Sequence, residues 1–469
     1  MIIAPRFNRN LITRLPHAGA DLHFHVQFKL MIKGNKHFGV EHHRVFRLCC
    51  SRDGKFILQK NHAKINGELN HLNKWVNFLT TSLYNHFMKP IKEHFLLDPN
   101  VVFLNHGSFG ATPKPVFREY QRWQLELERQ PVEFLGRRIT GLMAESRAAL
   151  GKYVGTHADN LVYTQNVTIS LNIIAHSLEL DPNDEVLATD HEYGAMDRMW
   201  RFLSKERGFR YINQQIKTPL TTEENFIDCL WRGVTARTRV IFISHITSPT
   251  AMIFPIKEIV RRAHEAGIIT IIDGAHAAGQ IPLHLDSLGA DFYCGNLHKW
   301  LCAPKGAGFL YARPERQHLL KPLVISWGYE SETPGNSQFI DHNEWWGTRD
   351  MAAFLSVPAA MEFQEKHDWD EVQNTCHELA RDAQRRICEL TGLTPLHSAA
   401  DGWFRQMIAA PLPTDTNTNV LKARLCDEYH IEVPLMDWNG NKLIRVSVQG
   451  YNTRRDIDEL CRALSLLMG

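Results

Sequence analysis

Residues 291–311 read DFYCGNLHKWLCAPKGAGFLY. A short apolar run leads into His298, Lys299 and Trp300, and a turn rich in Pro and Gly leads into a second apolar run. Two readings of Lys299 compete. A lone lysine on a loop is ordinarily a solvated charge, because lysine is almost never fully buried. A lysine held in an apolar pocket gives up its proton more readily, since desolvation disfavours the ammonium form. The neutral amine can then attack a carbonyl. The flanking chain decides between them.

Upstream, strands and helices alternate. DEVLATD (184–190) and RVIFIS (239–244) read as buried strands, KEIVRRAHEAG (257–267) as a helix with a glycine stop, and IITIID (268–273) as a β-branched strand ending in an acid. DFYCG and GAGFLYA, either side of Lys299, are two more short strands. Such alternation predicts βαβ units and a mostly parallel sheet, that is, an α/β protein. Ligands of these sheets bind beyond the carboxyl ends of the strands. Asp190, His191, Ser244, Asp273, His276 and the Lys299 segment all follow strand ends, so polar groups from several strands converge on one rim. Further upstream, Val116, Tyr120, Trp123 and Leu127 recur at 4-3-4 spacing, one face of a helix with Pro115 in its first turn. From about residue 350 the pattern changes to a strand–helix–strand–strand–helix unit that closes with TRRDIDELCRALSLL. The expected organisation is a large domain over 88–345, whose N-terminal segment packs with the small domain, and a small C-terminal α+β domain over 346–469.

The 469 residues are 44% apolar and 22% charged, which is ordinary for a globular chain, and their net charge is +2. No apolar run approaches ~18 residues, so no transmembrane helix is expected. Nine cysteines occur without paired or metal-ligand spacing. That argues for a reducing, cytoplasmic setting, with neither a disulfide scaffold nor a metal site. The charge is uneven: residues 1–87 carry 13 Lys/Arg, 4 Asp/Glu and 9 of the 25 histidines. A nucleic-acid-binding arm and a targeting peptide are two readings of this basic segment. The favoured one is a disordered or non-native extension from a start codon placed too early, with Met88 opening the natural chain. Neither nucleic acid nor membrane is then a partner.

IIDGAHAAGQ (271–280) followed by GNLHKWLCAPKGAGFLY (295–311) resembles the class V aminotransferase family, pyridoxal-phosphate enzymes of fold type I. Within it the likeness is to the isopenicillin N epimerase-like branch, with the cysteine desulfurases as more distant relatives. It spans about 95–465, and Asp273 with the His-Lys pair 26 residues on makes it specific. The resemblance implies a large domain with a mostly parallel, seven-stranded sheet and pyridoxal 5'-phosphate as cofactor. It makes Lys299 the Schiff-base lysine and Asp273 the carboxylate that keeps the pyridine nitrogen protonated, so that the ring acts as an electron sink. His276 becomes the donor to the phenolic oxygen, with Ser248 near the same atom. Val167 and Thr168, at a helix start suited to phosphate, match the family's Gly-Ala-Thr turn, with Asn166 replacing the glycine. Asn296 and His298 match further phosphate ligands. Thr348 in WWGTRD stands where relatives reach the phosphate of the other subunit, which implies a homodimer with shared active sites. His191 in ATDHEYGA is the favoured ring-stacking and catalytic residue, with Tyr193 as the alternative. Arg445 in LIRVSVQGYNT is placed to hold the substrate carboxylate. Asn105, His106 and Ser108 are expected to line the substrate entrance, and Arg349 to contact substrate.

The resemblance implies action on a small α-amino acid through the lysine Schiff base. IEVPLMDWNGNKLIR (431–445) lacks the nucleophilic cysteine that desulfurases carry before the carboxylate arginine. The leading expectation is therefore an epimerase or racemase. That needs proton exchange on both faces of a planar carbanion, with His191, Tyr193, His106 or a water opposite Lys299. A C–S lyase, a desulfurase-like enzyme and an aminotransferase are the alternatives within the family. A non-enzymatic regulator is the reading from outside it, and the intact set of Lys299, Asp273, Thr168 and Arg445 speaks against it.

Overall fold

The β-branched runs of the sequence become neighbouring strands of one sheet. A computed structural model describes residues 91–398 and 402–468, together with three N-terminal strands. Those strands, β1 (His25–Leu30), β2 (Arg44–Cys50) and β3 (Phe56–Gln59), pair antiparallel in the order β1-β2-β3 within a first unit, Met1–Lys89. They lie in the segment expected to be a disordered or non-native extension. HVQFKL alternates Val26, Phe28 and Leu30 with His25, Gln27 and Lys29, a period of two too brief to stand out in a segment so rich in charge. The remainder of that expectation lies outside the described residues.

The second unit is Pro90–Gly469. After β4 (Val102–Phe103), its main sheet is built from β5 (Leu161–Thr164), β6 (Glu185–Thr189), β7 (Arg210–Gln214), β8 (Thr238–Ser244), β9 (Ile269–Gly274), β10 (Phe292–Asn296) and β11 (Gly308–Ala312). Their order is β5-β11-β10-β9-β8-β6-β7, and only β11 runs against its neighbours. This is the mostly parallel, seven-stranded sheet that was expected. Its central strands are buried along their length, as a sheet covered on both faces requires. Helices α1 (Lys114–Arg129), α2 (Ile139–Val154), α3 (Val167–Ser177), α4 (Gly194–Arg207), α5 (Glu223–Trp231) and α6 (Ile256–Glu265) accompany it. Helix α1 buries Val116 and packs Tyr120, Trp123 and Leu127 on the core, the face read from the 4-3-4 spacing. Helix α6 turns Ile256, Ile259, Val260 and Ala263 inward.

The C-terminal strands β12 (Met407–Leu412), β13 (Ile431–Glu432), β14 (Leu435–Trp438) and β15 (Asn441–Ser447) alternate with α7 (Trp369–Thr391), α8 (Thr418–Tyr429) and α9 (Arg454–Met468). Three of them form a sheet in the order β12-β15-β14, and β13 pairs with β4. The chain before the main sheet therefore reaches across to the C-terminal part and carries residues 104–110 beside β15, where Asn105 bridges to Ser447. Among the described residues no helix is long and apolar enough to cross a membrane, and no cluster of His, Cys, Asp and Glu is arranged to hold a metal ion.

Candidate active site

The parallel strands all deliver their carboxyl ends to the same rim. Strand β9 carries Asp273 as its penultimate residue, β8 ends in Ser244, β6 leads to His191–Tyr193, β5 leads to the start of α3, and β10 leads to His298 and Lys299. The Lys299 loop is fixed by close backbone approaches. A Cβ on Gly110 (φ +71°) would stand 2.0 Å from the His298 carbonyl oxygen, and one on Gly279 (φ +88°) would stand 2.3 Å from the Trp300 carbonyl carbon. Only glycine fits either place.

Lys299 is a buried amine. Desolvation, and after it the Arg445 charge, push it down to about 7, with Asp273 pulling the other way. Its Nζ lies 3.2 Å from Nε2 of buried His276, whose Nδ1 accepts from the Trp300 indole N–H at 3.3 Å. Asp273 is buried as well, and its carboxyl is pushed up by burial. Oδ1 accepts from the Ala275 N–H at 2.9 Å, and Oδ2 has no hydrogen-bond partner among the described residues.

Arg445 on β15 is 4% exposed and held by oxygens alone. Nη1 donates to the Ser248 carbonyl at 2.7 Å and to its Oγ at 3.1 Å, Nη2 donates to Ser108 Oγ at 3.0 Å, and Nε has no partner. No carboxylate pairs with it, and desolvation brings it down to about 10. An arginine fork buried without a counter-ion is an anion site. Ser108 and Asn105 are thus brought to Arg445, Ser108 directly and Asn105 through its bonds to Ser108 and Glu432. Ser248 is engaged by Arg445 rather than left free.

At the helix start, Asn166 is in extended conformation, which any residue adopts, and its Oδ1 caps α3 by accepting from Ile169 N–H. The replaced glycine therefore costs nothing here. Val167 N–H donates to Asn296 Oδ1 at 3.0 Å, which spends that amide on the chain itself. Thr168 is exposed, and its N–H and hydroxyl have no partner among the described residues. His298 gives its Nδ1 to the Ala307 carbonyl at 3.1 Å and leaves Nε2 unengaged.

Three expected residues sit differently. His191 is fully buried between Trp438 and Phe254, with Nδ1 on Thr250 Oγ1 at 2.8 Å and Nε2 donating to the Ile216 carbonyl at 3.2 Å. Burial holds it neutral, near 4. It offers no free face for stacking. Tyr193 is the exposed member of the segment, at 47%, and its phenol lies close enough to act electrostatically on Arg445. His106 is also buried rather than at an entrance, with Nδ1 on Tyr451 Oη and Nε2 donating to the Lys299 carbonyl, both at 2.9 Å. Arg349 donates from Nη2 to the Glu344 carbonyl at 2.7 Å and lies by the rings of Trp346 and Phe354, beside a buried Arg147–Glu344 ion pair, while its buried Nε and Nη1 have no hydrogen-bond partner among the described residues. Thr348 is exposed and makes no hydrogen bond among the described residues.

The geometry adds Glu192, unremarked in the sequence although it adjoins two residues singled out there. Thr189 Oγ1 donates to one of its oxygens at 2.6 Å, and Ser244 N–H and Oγ donate to the other at 2.9 and 2.6 Å. It is pushed up to about 8 by burial. Ser244 pairs in register with Asp273, which places this second acid beside the first.

A buried amine, a buried acid with one open oxygen, an unspent helix start and an arginine awaiting an anion fit pyridoxal phosphate, and they define a fold type I enzyme of that cofactor. The chain belongs to the class-V aminotransferases: the profile of that family, Aminotransferase class-V, matches residues 110–460. Isopenicillin N epimerase of Amycolatopsis lactamdurans is 33% identical over 388 residues, 80% of this chain and 97% of that protein, and the enzyme of the same name from Streptomyces clavuligerus is 32% identical over 384 residues, 80% and 96%. A probable L-cysteine desulfhydrase of Arabidopsis thaliana is 27% identical over 405 residues, 79% and 84%. The fold is shared with the cysteine desulfurase CsdA of Escherichia coli, with TM-score 0.67, 21% identity, and coverage of 81% of this chain and 98% of that one.

Proposed function

We propose that the protein inverts the α-carbon of an amino acid, as an epimerase or racemase of the isopenicillin N epimerase-like kind. The observation that carries this reading is the pair of buried basic groups, the Lys299 amine with its lowered proton affinity and the Arg445 guanidinium without an acid partner among the described residues. Bound pyridoxal phosphate supplies an aldehyde for amines and a ring that takes up the electron pair left when Cα loses a proton. Asp273 holds negative charge for the ring nitrogen. Thr168, with His298 Nε2, offers donors to the phosphate. Arg445 takes the substrate carboxylate and so fixes Cα relative to Lys299, whose amine removes and returns the proton. Inversion needs a donor on the opposite face. His191 and His106 have both ring nitrogens committed, so Tyr193, or a water held beside it, is the group assigned there and to the ring face.

A shared-site homodimer belongs to the same reading. Thr348, exposed and unbonded, would complete the partner's phosphate site. The exposed apolar residues Leu323, Val324, Ile325, Trp327 and Tyr329, with Trp327 at 86%, offer a surface for a second copy. The free cysteines, with Cys294, Cys302, Cys376 and Cys388 buried, support a reducing cytoplasmic setting. The desulfhydrase relatives support one further reading, a C–S lyase using the same proton removal and a leaving group on Cβ.

The test is incubation with a panel of L-amino acids and cysteine conjugates in deuterated water, scoring Cα deuterium, chirality and released keto acid together. Deuterium uptake with loss of chirality and no keto acid is expected. Keto acid with sulfide or thiol would replace the epimerase by the lyase, and no exchange with any substrate would refute both.

A further inference from the structure

Trp300 follows the reactive lysine directly, and no role in the reaction follows from its position in the sequence. It is fully buried and fixed: its carbonyl accepts from Gln364 Nε2 at 2.9 Å, its ring lies 5.1 Å from that of His106, and Gly279 abuts its backbone. Its indole N–H points at His276 Nδ1, and the other nitrogen of that imidazole, Nε2, points at Lys299 Nζ.

An indole nitrogen only donates. The proton of a neutral imidazole sits on one nitrogen, and a proton on Nδ1 would set two donors against each other across 3.3 Å. Nδ1 must therefore be the lone pair and Nε2 must carry the hydrogen. The Nε2–H bond then meets Lys299 at 3.2 Å and needs an acceptor. A neutral amine has one lone pair to accept with; an ammonium has none. We infer that Trp300 is a positioning residue which, by fixing the tautomer of His276, holds Lys299 as the free amine.

The remaining charged and titratable groups around the pair agree with this arrangement. Arg445 on β15 faces both Lys299 and His276 and disfavours a proton on either, and His298 and His106 act on His276 in the same sense. Asp273 at the end of β9 alone favours the protonated lysine. Burial foremost, and these charges after it, lower the proton affinity of both groups, while the indole decides which imidazole nitrogen keeps its hydrogen.

The inference rests on Lys299 being the reactive amine, and its test reads the apo-protein rather than turnover. Nitrogen-15 NMR of the histidine rings is expected to give His276 as the Nε2–H tautomer; an Nδ1–H signal would overturn the inference with no variant needed. Competitive reductive methylation with formaldehyde and cyanoborohydride, read on the Lys299 peptide against surface lysines, gives the pH midpoint of the amine. Trp300→Phe keeps a buried ring and loses the N–H, so His276 becomes free to accept from a protonated lysine. The midpoint is expected to rise by about one unit, which from a midpoint near 7 is about fivefold less labelling at pH 7. In a His276→Ala background the same Trp300→Phe change is expected to leave the midpoint where it was. A shift of equal size in that background would mean that Trp300 acts through packing alone and would overturn the inference. Absence of epimerase activity in the native protein would count against the proposed function and leave these readings untouched.

Discussion

Replacing Arg445 with methionine separates a substrate-binding arginine from a structural one, because the two make opposite demands on stability. In the folded chain the guanidinium is buried and bonded only to Ser248 and Ser108. Burying an ion costs several kcal/mol, which neutral partners recover only in part. Methionine removes that cost and strands a carbonyl and two hydroxyls, at about 1 kcal/mol each. The two nearly cancel, so the apo variant is expected to unfold within about 2 kcal/mol of the native protein, where breaking a true buried ion pair costs ~3–5 kcal/mol. The functional loss is large. Removing one member of a desolvated charge pair between arginine and carboxylate costs about 2–5 kcal/mol, or roughly 30–5,000-fold in kcat/KM. A third readout has its own sign. Arg445 helps to depress Lys299, so its loss raises the lysine, and the pH at which the amine becomes reactive moves up from about 7. Denaturant melts, kinetics and pH-dependent labelling of Lys299 cover the three. A variant destabilised by 3 kcal/mol or more, with KM for the amino acid unchanged, would refute the reasoning.

Four shorter expectations follow from the same site. Borohydride reduction of the cofactor-loaded protein should fix the cofactor to Lys299, and Lys299→Ala should abolish this; label on exposed Lys305 would reassign the nucleophile. Asp273→Asn should retain cofactor while lowering turnover on the order of 10²–10⁴, the scale of other electrostatic contributions, and near-normal turnover would remove Asp273 from the mechanism. Mixing inactive Lys299→Ala chains with inactive Thr348→Arg chains should restore activity, because one site of a mixed dimer escapes both lesions; no recovery in proven mixed dimers would confine Thr348 to its own subunit. A chain beginning at Met88 should fold and keep full activity, since β1–β3 belong to a separate unit, and loss of either would make residues 1–87 part of the enzyme.

What the sequence disclosed and what it withheld divide along the range of the interactions. The strands around Lys299 were readable because each is a short run of β-branched and aromatic residues between turn signals, and the spacing of Asp273, His276 and Lys299 survives folding because all three follow strand ends. His191 and Tyr193 were not separable in this way. Both lie just beyond β6, and which one turns to the cleft is set by Trp438, whose ring packs on His191 and whose indole N–H bonds the Asp190 carbonyl at 2.8 Å. His106 has the same history. Its loop does approach Lys299, but Tyr451 and the Lys299 backbone claim the ring, and neither partner is near it in sequence. Glu192 carried only a faint local signal, an acid three residues past a strand end. Its three donors come from two strands that the sheet brings together.

The charges explain why this site is built of long-range contacts. Lys299 and Arg445 are both buried, the arginine charge disfavours a proton on the lysine, and Asp273 is the acid acting on that lysine. Such a cluster would relax by letting in water or pairing with a nearby acid. Here each escape is blocked by a neighbour. Ser108 and Ser248 grip the guanidinium without neutralising it. His106 and Gly110 pin the Lys299 backbone from the side of β15. Glu192, the other acid at the rim, is turned to Ser244 and Thr189 at the ends of β6 and β8 and raised to about 8 by burial, so it brings no full charge to quench the arginine. An anion that enters therefore finds a cation already desolvated and oriented, and anything bound by the folded chain alone stabilises it. The substrate carboxylate and cofactor phosphate are anions of this kind. On this reading the apo-protein gives up stability to keep Arg445 unpaired, and a ligand returns it on binding.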